Sequence, residues 1–543
     1  MKRRPSSMLC VIAITIATLL GACSKPEEAH PPAVVSAASA PAAVAHPIEI
    51  AWTQAANDAD VDRAFARARA ESKPVFVYWG AKWCPPCNQV KATLFNRADF
   101  IERSRAFVPV YIDGDSPGAQ KLGDRFAVRG YPTLLLFNAA GTELTRLPGE
   151  VDPGQYTQLL TLGMNAQRPV KAVLADARAG GLGLAPNDWR LLAFYSWETD
   201  EQQVAAKAEV PALLRQLAAA CPADLAETAT RLWLKALAVA DPKRAASVDE
   251  TTRKHVLDVL ADATRSRAHM DVLTNNAVDL VKTTSVAGAP ERARLQAAMD
   301  TRLAALAGDA ALSRADRLTA LVAQVDLARI DAPEEGSKVA LPEALLARIR
   351  AQVARDDREI SDGYERQAVI TTAAYLLDEA GLADESDTLL EANLAKSHSP
   401  YYLMAELASN AKKRGDASGS LRWREQAFNS AEGAATRQQW GAAYVEALVA
   451  MAPQDSVRIE AAVKQLFSEA ATQGDDAFHG RSARSLQRVG AALLTWRKAP
   501  SHEAAFARLR AELDGLCARL PSGDAQRGVC EAVLKPAARA KAA

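Results

Sequence analysis

The segment from Lys73 to Cys87 constrains the fold of this chain more than any other. A run of apolar, β-favouring residues, Val75 to Trp79, lies between a proline and Gly80. A short run of this kind predicts a strand that is buried on both faces. Two cysteines, Cys84 and Cys87, follow it at the point where a helical pattern begins. We therefore expect an α/β domain in which a buried strand leads into a Cys-x-x-Cys helix start.

The rest of the chain divides into an α/β part and a longer helical part. Further strands are predicted at 108–112, 133–137 and 143–147, with a last helix at 152–164. Because strands alternate with helices, we expect an α/β sandwich at residues 50–165. Residues 166–543 show helical periodicity nearly throughout, which predicts a large all-α domain.

A weak internal repeat lies at about residues 365–450 of the helical part. Gly381 and Gly415, each between two helical stretches, are 34 residues apart, which is the tetratricopeptide (TPR) period. The full repeat signature is absent, so the pattern predicts a TPR-like α-solenoid of helix pairs. A compact helical bundle is the alternative. The tryptophans of this part are predicted to anchor helix packing: Trp189, Trp197, Trp233, Trp423, Trp440 and Trp496.

The spacing of Cys84 and Cys87 indicates thiol chemistry. Cysteines three residues apart at a helix start lie on one face, close enough to bond. The helix dipole stabilises a thiolate at Cys84, and Lys82 adds positive charge. This thiolate would attack a substrate disulfide, and Cys87 would then attack Cys84 and release the reduced substrate. Such exchange requires an accessible Cys84 and no cofactor.

Other uses of a Cys-x-x-Cys pair are less consistent with the sequence. A zinc site needs two more ligands, and no second Cys-x-x-Cys or Cys/His pair exists, so no metal is predicted. A c-type haem site needs histidine after the second cysteine, where Asn88 stands. A purely structural disulfide between the two cysteines stays open as an alternative.

Four motifs carry a resemblance to a known family. Trp83 to Cys87, after a buried strand, resembles the active site of the thioredoxin fold, and Val128 to Thr133 is similar to its cis-proline loop. Lys73 to Val75 and Thr93 to Asn96 resemble the periplasmic carboxy-terminal domain of DsbD-type interchange proteins. The resemblance covers about a fifth of the chain. It implies a thioredoxin fold and a thiol–disulfide oxidoreductase.

The resemblance also assigns roles to individual residues. It implies that Pro132 is cis and packs against the cysteine pair. Trp83, Tyr131 and Pro132 would contact the substrate, with the backbone of Tyr131 pairing with a bound peptide.

Two positions depart from the family pattern. Tyr78 stands where the family has a buried acid, and Pro109 where thioredoxin has the lysine that partners that acid. Proton transfer to and from Cys87 therefore lacks its usual assistant, for which a phenol with a pKa near 10 is a poor replacement.

The first residues read as a targeting segment. A basic start, Met1 to Arg4, precedes an apolar run from Met8 to Leu20 and small residues before Cys23. This layout predicts a signal peptide at residues 1–22. Its end resembles a bacterial lipobox, which implies acylation of Cys23, and the following serine favours the outer membrane. A plain secretory signal and an uncleaved anchor are the alternatives.

Residues 23–49 are rich in proline and alanine and predict an extended tether. The remaining chain would be exported to the periplasm. In an exported protein, Cys517 and Cys530 on either side of a helix breaker predict a structural disulfide, with a second exchange site as the alternative. Cys221 has no evident partner and is expected to be buried.

Composition narrows the choice of partners. Lys+Arg and Asp+Glu both total 65, so the basic surplus typical of nucleic-acid binders is absent. No apolar run beyond the amino terminus is long enough for a multi-pass membrane protein. The leading hypothesis is a lipid-anchored reductase of disulfide-containing exported proteins, supplied by a membrane electron donor, with oxidase or isomerase action left open. The rival is a lipoprotein scaffold whose helical domain binds a partner and whose thioredoxin-like module only docks.

Overall fold

A five-stranded mixed sheet forms the core of the α/β part. The computed structural model describes residues 49–147, 153–166, 168–197, 200, 203–332 and 339–535. The strands are β1 (Thr53–Gln54), β2 (Val75–Gly80), β3 (Val108–Asp113), β4 (Thr133–Phe137) and β5 (Glu143–Leu147). Their order is β1-β3-β2-β4-β5. The first three strands are parallel, and β4 runs antiparallel to both β2 and β5.

Five helices accompany the sheet. They are α1 (Asp58–Glu71), α2 (Pro85–Val90), α3 (Ala98–Arg103), α4 (Ala119–Arg125) and α5 (Pro153–Met164). Every residue of β2 is buried, as the apolar run predicts. Alternate side chains of β2 enter two different cores: Phe76 and Tyr78 lie on the face of the cysteine pair, and Val77 and Trp79 on the opposite face. The predicted thioredoxin-type α/β fold is confirmed.

The helix start at the cysteine pair has a local cause. Cys84 is extended, and its Sγ accepts a hydrogen bond from the backbone N–H of Cys87 at 3.2 Å. Pro85 and Pro86 fill the first two helical positions, where a backbone N–H has no intrahelical partner anyway. The chain then continues from α2 through a π-helical turn, Lys91–Phe95.

The remainder of the described chain is helical, as predicted. Its first half contains α6 (Val170–Arg178), α7 (Pro186–Phe194), α8 (Val210–Ala220), α9 (Ala226–Ala238), α10 (Glu250–Ala261), α11 (Ala263–Ala268), α12 (Met270–Asn275), α13 (Ala277–Thr284), α14 (Pro290–Ala307) and α15 (Arg314–Ala328). Its second half contains α16 (Glu343–Glu359), α17 (Gly363–Glu379), α18 (Ala383–Asn393), α19 (Pro400–Lys413), α20 (Ala417–Ser430), α21 (Ala434–Met451), α22 (Ser456–Thr472), α23 (Gly480–Trp496), α24 (Glu503–Ala518) and α25 (Ala525–Ala532).

Two neighbouring helix pairs repeat the same local structure 34 residues apart. Gly381 and Gly415 follow α17 and α19 with φ angles of +81° and +82°, which glycine adopts at little cost. In the second helix of each pair, a fully buried serine, Ser386 or Ser420, donates a 2.8 Å hydrogen bond to the carbonyl oxygen twelve residues earlier. The repeat seen in the sequence is therefore a repeat of packing between helices.

The other cysteines of the described chain are buried. Cys517 and Cys530 form a disulfide between α24 and α25, with 5.6 Å between their Cα atoms. Cys221 is unpaired, and burial raises the pKa of its thiol to about 11. The predicted signal peptide, nearly all of the predicted tether and the lipidation site Cys23 lie outside the described residues. Within the part that is described, no helix is both long and apolar enough to cross a bilayer.

The α/β and helical parts share a core. Residues Pro47–Ala543 form one compact unit. The apolar cluster that contains Cys84 and Cys87 also contains Tyr401, Ala427 and Ala431 from the helical part. This shared core places the helical part directly against the cysteine pair.

Candidate active site

Cys84 and Cys87 are joined by a disulfide at the start of α2, with 5.2 Å between their Cα atoms. A buried amide fixes the loop that leads into this pair. The side-chain nitrogen of Asn88 donates to the carbonyl oxygens of Lys82 and Cys84, both at 2.8 Å. The backbone on the amino-terminal side of the disulfide is thereby held from inside the protein.

A cis peptide bond, Tyr131–Pro132, leads into β4. Thr133 closes this loop by donating its hydroxyl to the carbonyl oxygen of Gly130 at 3.0 Å. The ring of Tyr131 meets Trp83 edge-on, with 6.1 Å between ring centroids. The structure therefore brings the loop before Pro132 and the residue before Cys84 together, as the resemblance implies.

The pair is closed to solvent in this conformation. Cys84 is 2% exposed, Cys87 is fully buried and Trp83 is 9% exposed. The expectation of an accessible Cys84 is therefore wrong for this state of the protein. Cys84 is closed to solvent because a surface of the helical part packs over the cysteine pair.

We call residues 399–440 and 476–484 the cover. Its aromatic side chains pack on the residue before the disulfide. Trp83 stacks on Tyr402, with 5.7 Å between ring centroids and 19° between planes, and meets Trp440 edge-on at 6.4 Å. Burial raises the pKa of Tyr402 to about 12. These contacts exclude water from the face of the disulfide that a substrate would approach.

A buried ion pair lies at the centre of the contact. The carboxylate of Asp115 accepts hydrogen bonds from Trp83 Nε1 at 3.2 Å, from the backbone N–H of Thr436 at 2.8 Å and from Arg481 Nη2 at 2.5 Å. The side chains of Asp115 and Arg481 are only 11% and 9% exposed. The Arg481 guanidinium carbon lies 5.2 Å from the ring centroids of both Trp83 and Tyr131. Arg481 is thus held by a carboxylate and two aromatic rings beside the cysteine pair.

The start of α4 makes further hydrogen bonds with the cover. Asp476 accepts the backbone N–H groups of Gln120 and Lys121 at 3.3 and 3.0 Å, an N-terminal cap supplied from a distant part of the chain. Gln120 Oε1 accepts the backbone N–H of Arg481 at 2.6 Å. Packing of the cover against α4 would bury these polar groups. Hydrogen bonds across the contact therefore give each of them a partner.

An ion pair and a histidine–carboxylate hydrogen bond lie at the exposed rim of the contact. Lys82 Nζ lies 3.1 Å from Glu432, and His479 Nδ1 lies 2.8 Å from Asp124. Lys82 was expected to add positive charge near Cys84. In the closed state part of that charge is balanced by Glu432.

Tyr78 lies on the sheet face of the cysteine pair. It is buried, and its hydroxyl has no hydrogen-bond partner among the described residues. Burial raises the pKa of Tyr78 well above its usual value. The phenol therefore keeps its proton at neutral pH and is unsuited to accept one from Cys87.

Two other ionisable side chains lie in the same region. Burial raises the pKa of Asp113, at the end of β3, and lowers the pKa of Lys91, one helical turn beyond Cys87. Lys91 Nζ lies 5.4 Å from the ring centroid of Tyr111, which stacks on Tyr78. Burial therefore disfavours the charged form of both groups.

Sequence reasoning missed Asp115 and the polar and aromatic residues of the cover. Asp115 had one available signal, because it follows the carboxyl end of the parallel strand β3, an edge where α/β sheets place functional groups. Tyr402 and Arg481 carry no local motif, and Trp440 was predicted only as a packing anchor. In the described ranges, no group of three or more His, Cys, Asp or Glu side chains is placed to hold a metal ion.

The sheet, the Cys-x-x-Cys helix start and the cis-proline loop define a thioredoxin-like domain. The family described as "Thioredoxin-like domain" matches residues 61–163. The thioredoxin of Acidithiobacillus ferridurans is 37% identical over 90 residues, which cover 16% of this chain and 78% of that protein. The chain belongs to the thioredoxin family through this domain.

Larger interchange proteins are similar to part of this chain. "Thiol:disulfide interchange protein DsbD 2" of Pseudomonas aeruginosa is 30% identical over 148 residues, which are 26% of this chain and 25% of that protein. The chain thus spans about a quarter of the length of this relative. The structure of thioredoxin O1 from Arabidopsis thaliana in the oxidized state matches 20% of this chain and 95% of its own, at 18% identity and a TM-score of 0.18.

Proposed function

We propose that this protein is a thiol–disulfide oxidoreductase that exchanges disulfides with protein substrates through Cys84 and Cys87. One observation carries the proposal. The two cysteines form a disulfide at a helix start, and a cis-proline loop meets the residue before them, in a domain of the thioredoxin family. A structural disulfide would need neither the helix-start position nor the cis-proline loop.

In the reducing direction, the thiolate of Cys84 attacks one sulfur of the substrate disulfide. A mixed disulfide forms and the other substrate sulfur leaves as a thiolate. The thiolate of Cys87 then attacks the sulfur of Cys84, which releases the second substrate thiol. Two electrons pass to the substrate, and the pair ends as the disulfide.

The helix start supports this chemistry at Cys84. In the disulfide, its Sγ accepts the N–H of Cys87, and the same donor and the helix dipole would stabilise the thiolate. Pro85 and Pro86 offer no N–H donors, which limits this stabilisation. We expect a moderate lowering of the thiol pKa of Cys84 in the reduced protein.

We further propose export to the periplasm, anchorage through an acylated Cys23, and a membrane electron donor that returns the pair to its dithiol state. The targeting pattern before Cys23 and the interchange proteins among the relatives support this placement. The 34-residue repeat of helix packing supports a TPR-like solenoid near residues 365–450, a type of structure that often binds proteins.

Trapping variants test the proposed chemistry. Cys87→Ala should accumulate mixed disulfides through Cys84, because the resolving thiol is missing. Cys84→Ser should accumulate no mixed disulfides. It should also no longer catalyse the reduction of insulin disulfides by dithiothreitol. Cys221→Ala removes the described unpaired cysteine and should behave like the wild type. Full activity of Cys84→Ser would overturn the proposal.

A second candidate function is the scaffold, and one observation favours it. The cover closes the cysteine pair, so the thioredoxin-like domain serves as a docking module in this conformation. The double variant Cys84→Ser/Cys87→Ser separates the two functions. A scaffold retains partner binding and cellular phenotype in this variant, whereas an oxidoreductase loses its phenotype.

A further inference from the structure

The residues that border the cysteine pair already bind a side chain of the same protein. Arg481 lies against the carboxylate of Asp115 and the rings of Trp83 and Tyr131. Trp83 directly precedes Cys84, and Tyr131 directly precedes the cis proline. A segment that approaches Cys84 from this side therefore meets the position now filled by Arg481.

The chemistry of this position suits a guanidinium group. The Arg481 guanidinium donates to a carboxylate and lies 5.2 Å from the centroids of two aromatic rings, a combination that a lysine ammonium reproduces poorly. Four hydrogen bonds converge on the Asp115 carboxylate, and Arg481 is the one donor among them that carries a positive charge. When the cover leaves, Asp115 loses both Thr436 and Arg481 and keeps Trp83.

The cover approaches this surface closely at two glycines. A Cβ on Gly433 would lie 2.5 Å from the Cβ of Asp115, and a Cβ on Gly480 would lie 2.6 Å from Gln120 Oε1. Both glycines have positive φ angles, +86° and +47°. One added methyl group at Gly433 therefore cannot fit in the closed state, although it changes no group that bears the chemistry.

We propose that Trp83, Asp115 and Tyr131 form a docking surface for an arginine-bearing segment of a client protein, and that Arg481 occupies this surface as an internal competitor. The proposal rests on the proposed function. A client reaches Cys84 by displacing the cover, and an arginine near its disulfide restores the ion pair that displacement breaks. The cysteine pair then reduces the client disulfide through the attack of Cys84 and the release by Cys87, and two electrons pass from the pair to the client.

The first experiment measures opening of the cover, independent of activity. Full-length protein is reduced with dithiothreitol, freed of it, and alkylated at Cys84 with iodoacetamide. Gly433→Ala should raise the alkylation rate about tenfold over the wild type, because the cover no longer seats. Equal rates in the two proteins would overturn the proposed competition.

Gly415→Ala is the matched control. Its φ of +82° is positive like that of Gly433, but an added Cβ meets no atom within 4 Å. This variant should alkylate at the wild-type rate. If Gly433→Ala does not fold, Glu432→Lys replaces it, since this change at the exposed rim sets two positive charges against each other at Lys82.

The second experiment measures client preference. Synthetic disulfide-bonded peptides carry either arginine or glutamine two residues from each cysteine. The reduced Gly433→Ala protein should reduce the arginine peptide about fivefold faster than the glutamine peptide. Adding Asp115→Asn to Gly433→Ala should abolish the preference for the arginine peptide, while Cys84 should still be alkylated by iodoacetamide. Equal rates with both peptides in Gly433→Ala would overturn the arginine assignment.

The two experiments separate this proposal from the proposed function. If Gly433→Ala exposes Cys84 to iodoacetamide but reduces neither peptide, the oxidoreductase proposal fails and the client docking surface fails with it. If the wild type and Gly433→Ala reduce the peptides equally well and alkylate equally fast, the oxidoreductase stands and the internal competitor fails.

Discussion

At the scale of single residues, burial next to the cysteine pair has measurable consequences. Burial raises the pKa of Asp113, so the folded protein binds this proton more tightly than the unfolded chain. Protonation of Asp113 therefore stabilises the fold fully at pH values below the pKa of Asp113 in the unfolded chain. This stabilisation is lost as the pH rises through the pKa of Asp113 in the folded protein. Asp113→Asn keeps the oxygen that accepts the Asp115 N–H at 3.0 Å and removes the buried charge.

We expect Asp113→Asn to be more stable than the wild type at pH 7, with the difference shrinking as the solution is acidified. Urea unfolding at several pH values measures this. Asp99→Asn is a control of opposite sign, since a hydrogen bond from Arg97 lowers the pKa of Asp99. A destabilised Asp113→Asn at pH 7 would contradict the expectation.

Asn88 gives a second prediction at this scale. Asn88→Ala removes two buried hydrogen bonds to carbonyl oxygens and should lower the free energy of unfolding by about 2–3 kcal/mol. It should also speed reduction of the disulfide by dithiothreitol, because the loop from Lys82 to Cys84 loses its internal support.

Asn393→Ala is the matched control for this change. Asn393 is equally buried and also donates two side-chain hydrogen bonds, but within the helical part. Because Asn393 also accepts a hydrogen bond from Arg366 at 2.8 Å, Asn393→Ala should lower stability by at least as much and leave the reduction rate unchanged. Equal acceleration in both variants would show that general destabilisation, and not the loop, controls the rate.

At the scale of elements, the local sequence predicts a strand or helix wherever contacts between residues close in the chain determine it. The predicted strands 108–112, 133–137 and 143–147 match β3, β4 and β5 to within one residue, and the predicted helix 152–164 matches α5 equally well. Strands β3 and β4 are short runs rich in apolar residues, β5 pairs antiparallel with the strand just before it in the chain, and α5 packs on its own sheet. The helix start at Cys84 was predictable for the same reason, since its capping residue and prolines are adjacent in sequence.

The disulfide between α24 and α25 allows a prediction at this scale. Cys517→Ala/Cys530→Ala should lower the free energy of unfolding by about 3 kcal/mol, the loop-closure value for a short loop. Denaturant unfolding of the oxidised proteins measures it. Cys221→Ala, which removes a buried thiol without a disulfide, should cost about 1 kcal/mol. Equal losses would mean that the disulfide adds nothing beyond its packing.

At the scale of the whole molecule, the sequence did not predict that the helical part covers the cysteine pair, and the reason is physical. The contacts of the cover join residues far apart in the chain: Lys82 and Glu432 are 350 positions apart. No periodicity or motif reports such a contact, because either partner alone reads as an ordinary charged or aromatic residue. The resemblance implied substrate contacts at Trp83, Tyr131 and Pro132 but not at Asp115, and the part of the chain that covers these residues lies outside the family match.

The shared core predicts how the molecule unfolds. Because Tyr401, Ala427 and Ala431 pack in the cluster of the cysteine pair, we expect the α/β and helical parts to unfold in one transition. Tryptophan fluorescence and far-ultraviolet circular dichroism should give coincident urea curves. In Gly433→Ala the two curves should separate. Separate curves in the wild type would contradict a shared core.

The distance along the chain between the cysteine pair and the cover also has a consequence in time. Ribosomes add roughly 5–20 residues per second, so Glu432 is made roughly 20–70 s after Lys82. The cysteine pair therefore exists during that interval without the segment that covers it, and both sulfurs are unprotected. The cysteine pair can therefore meet an oxidant or a reductant before the cover closes over it.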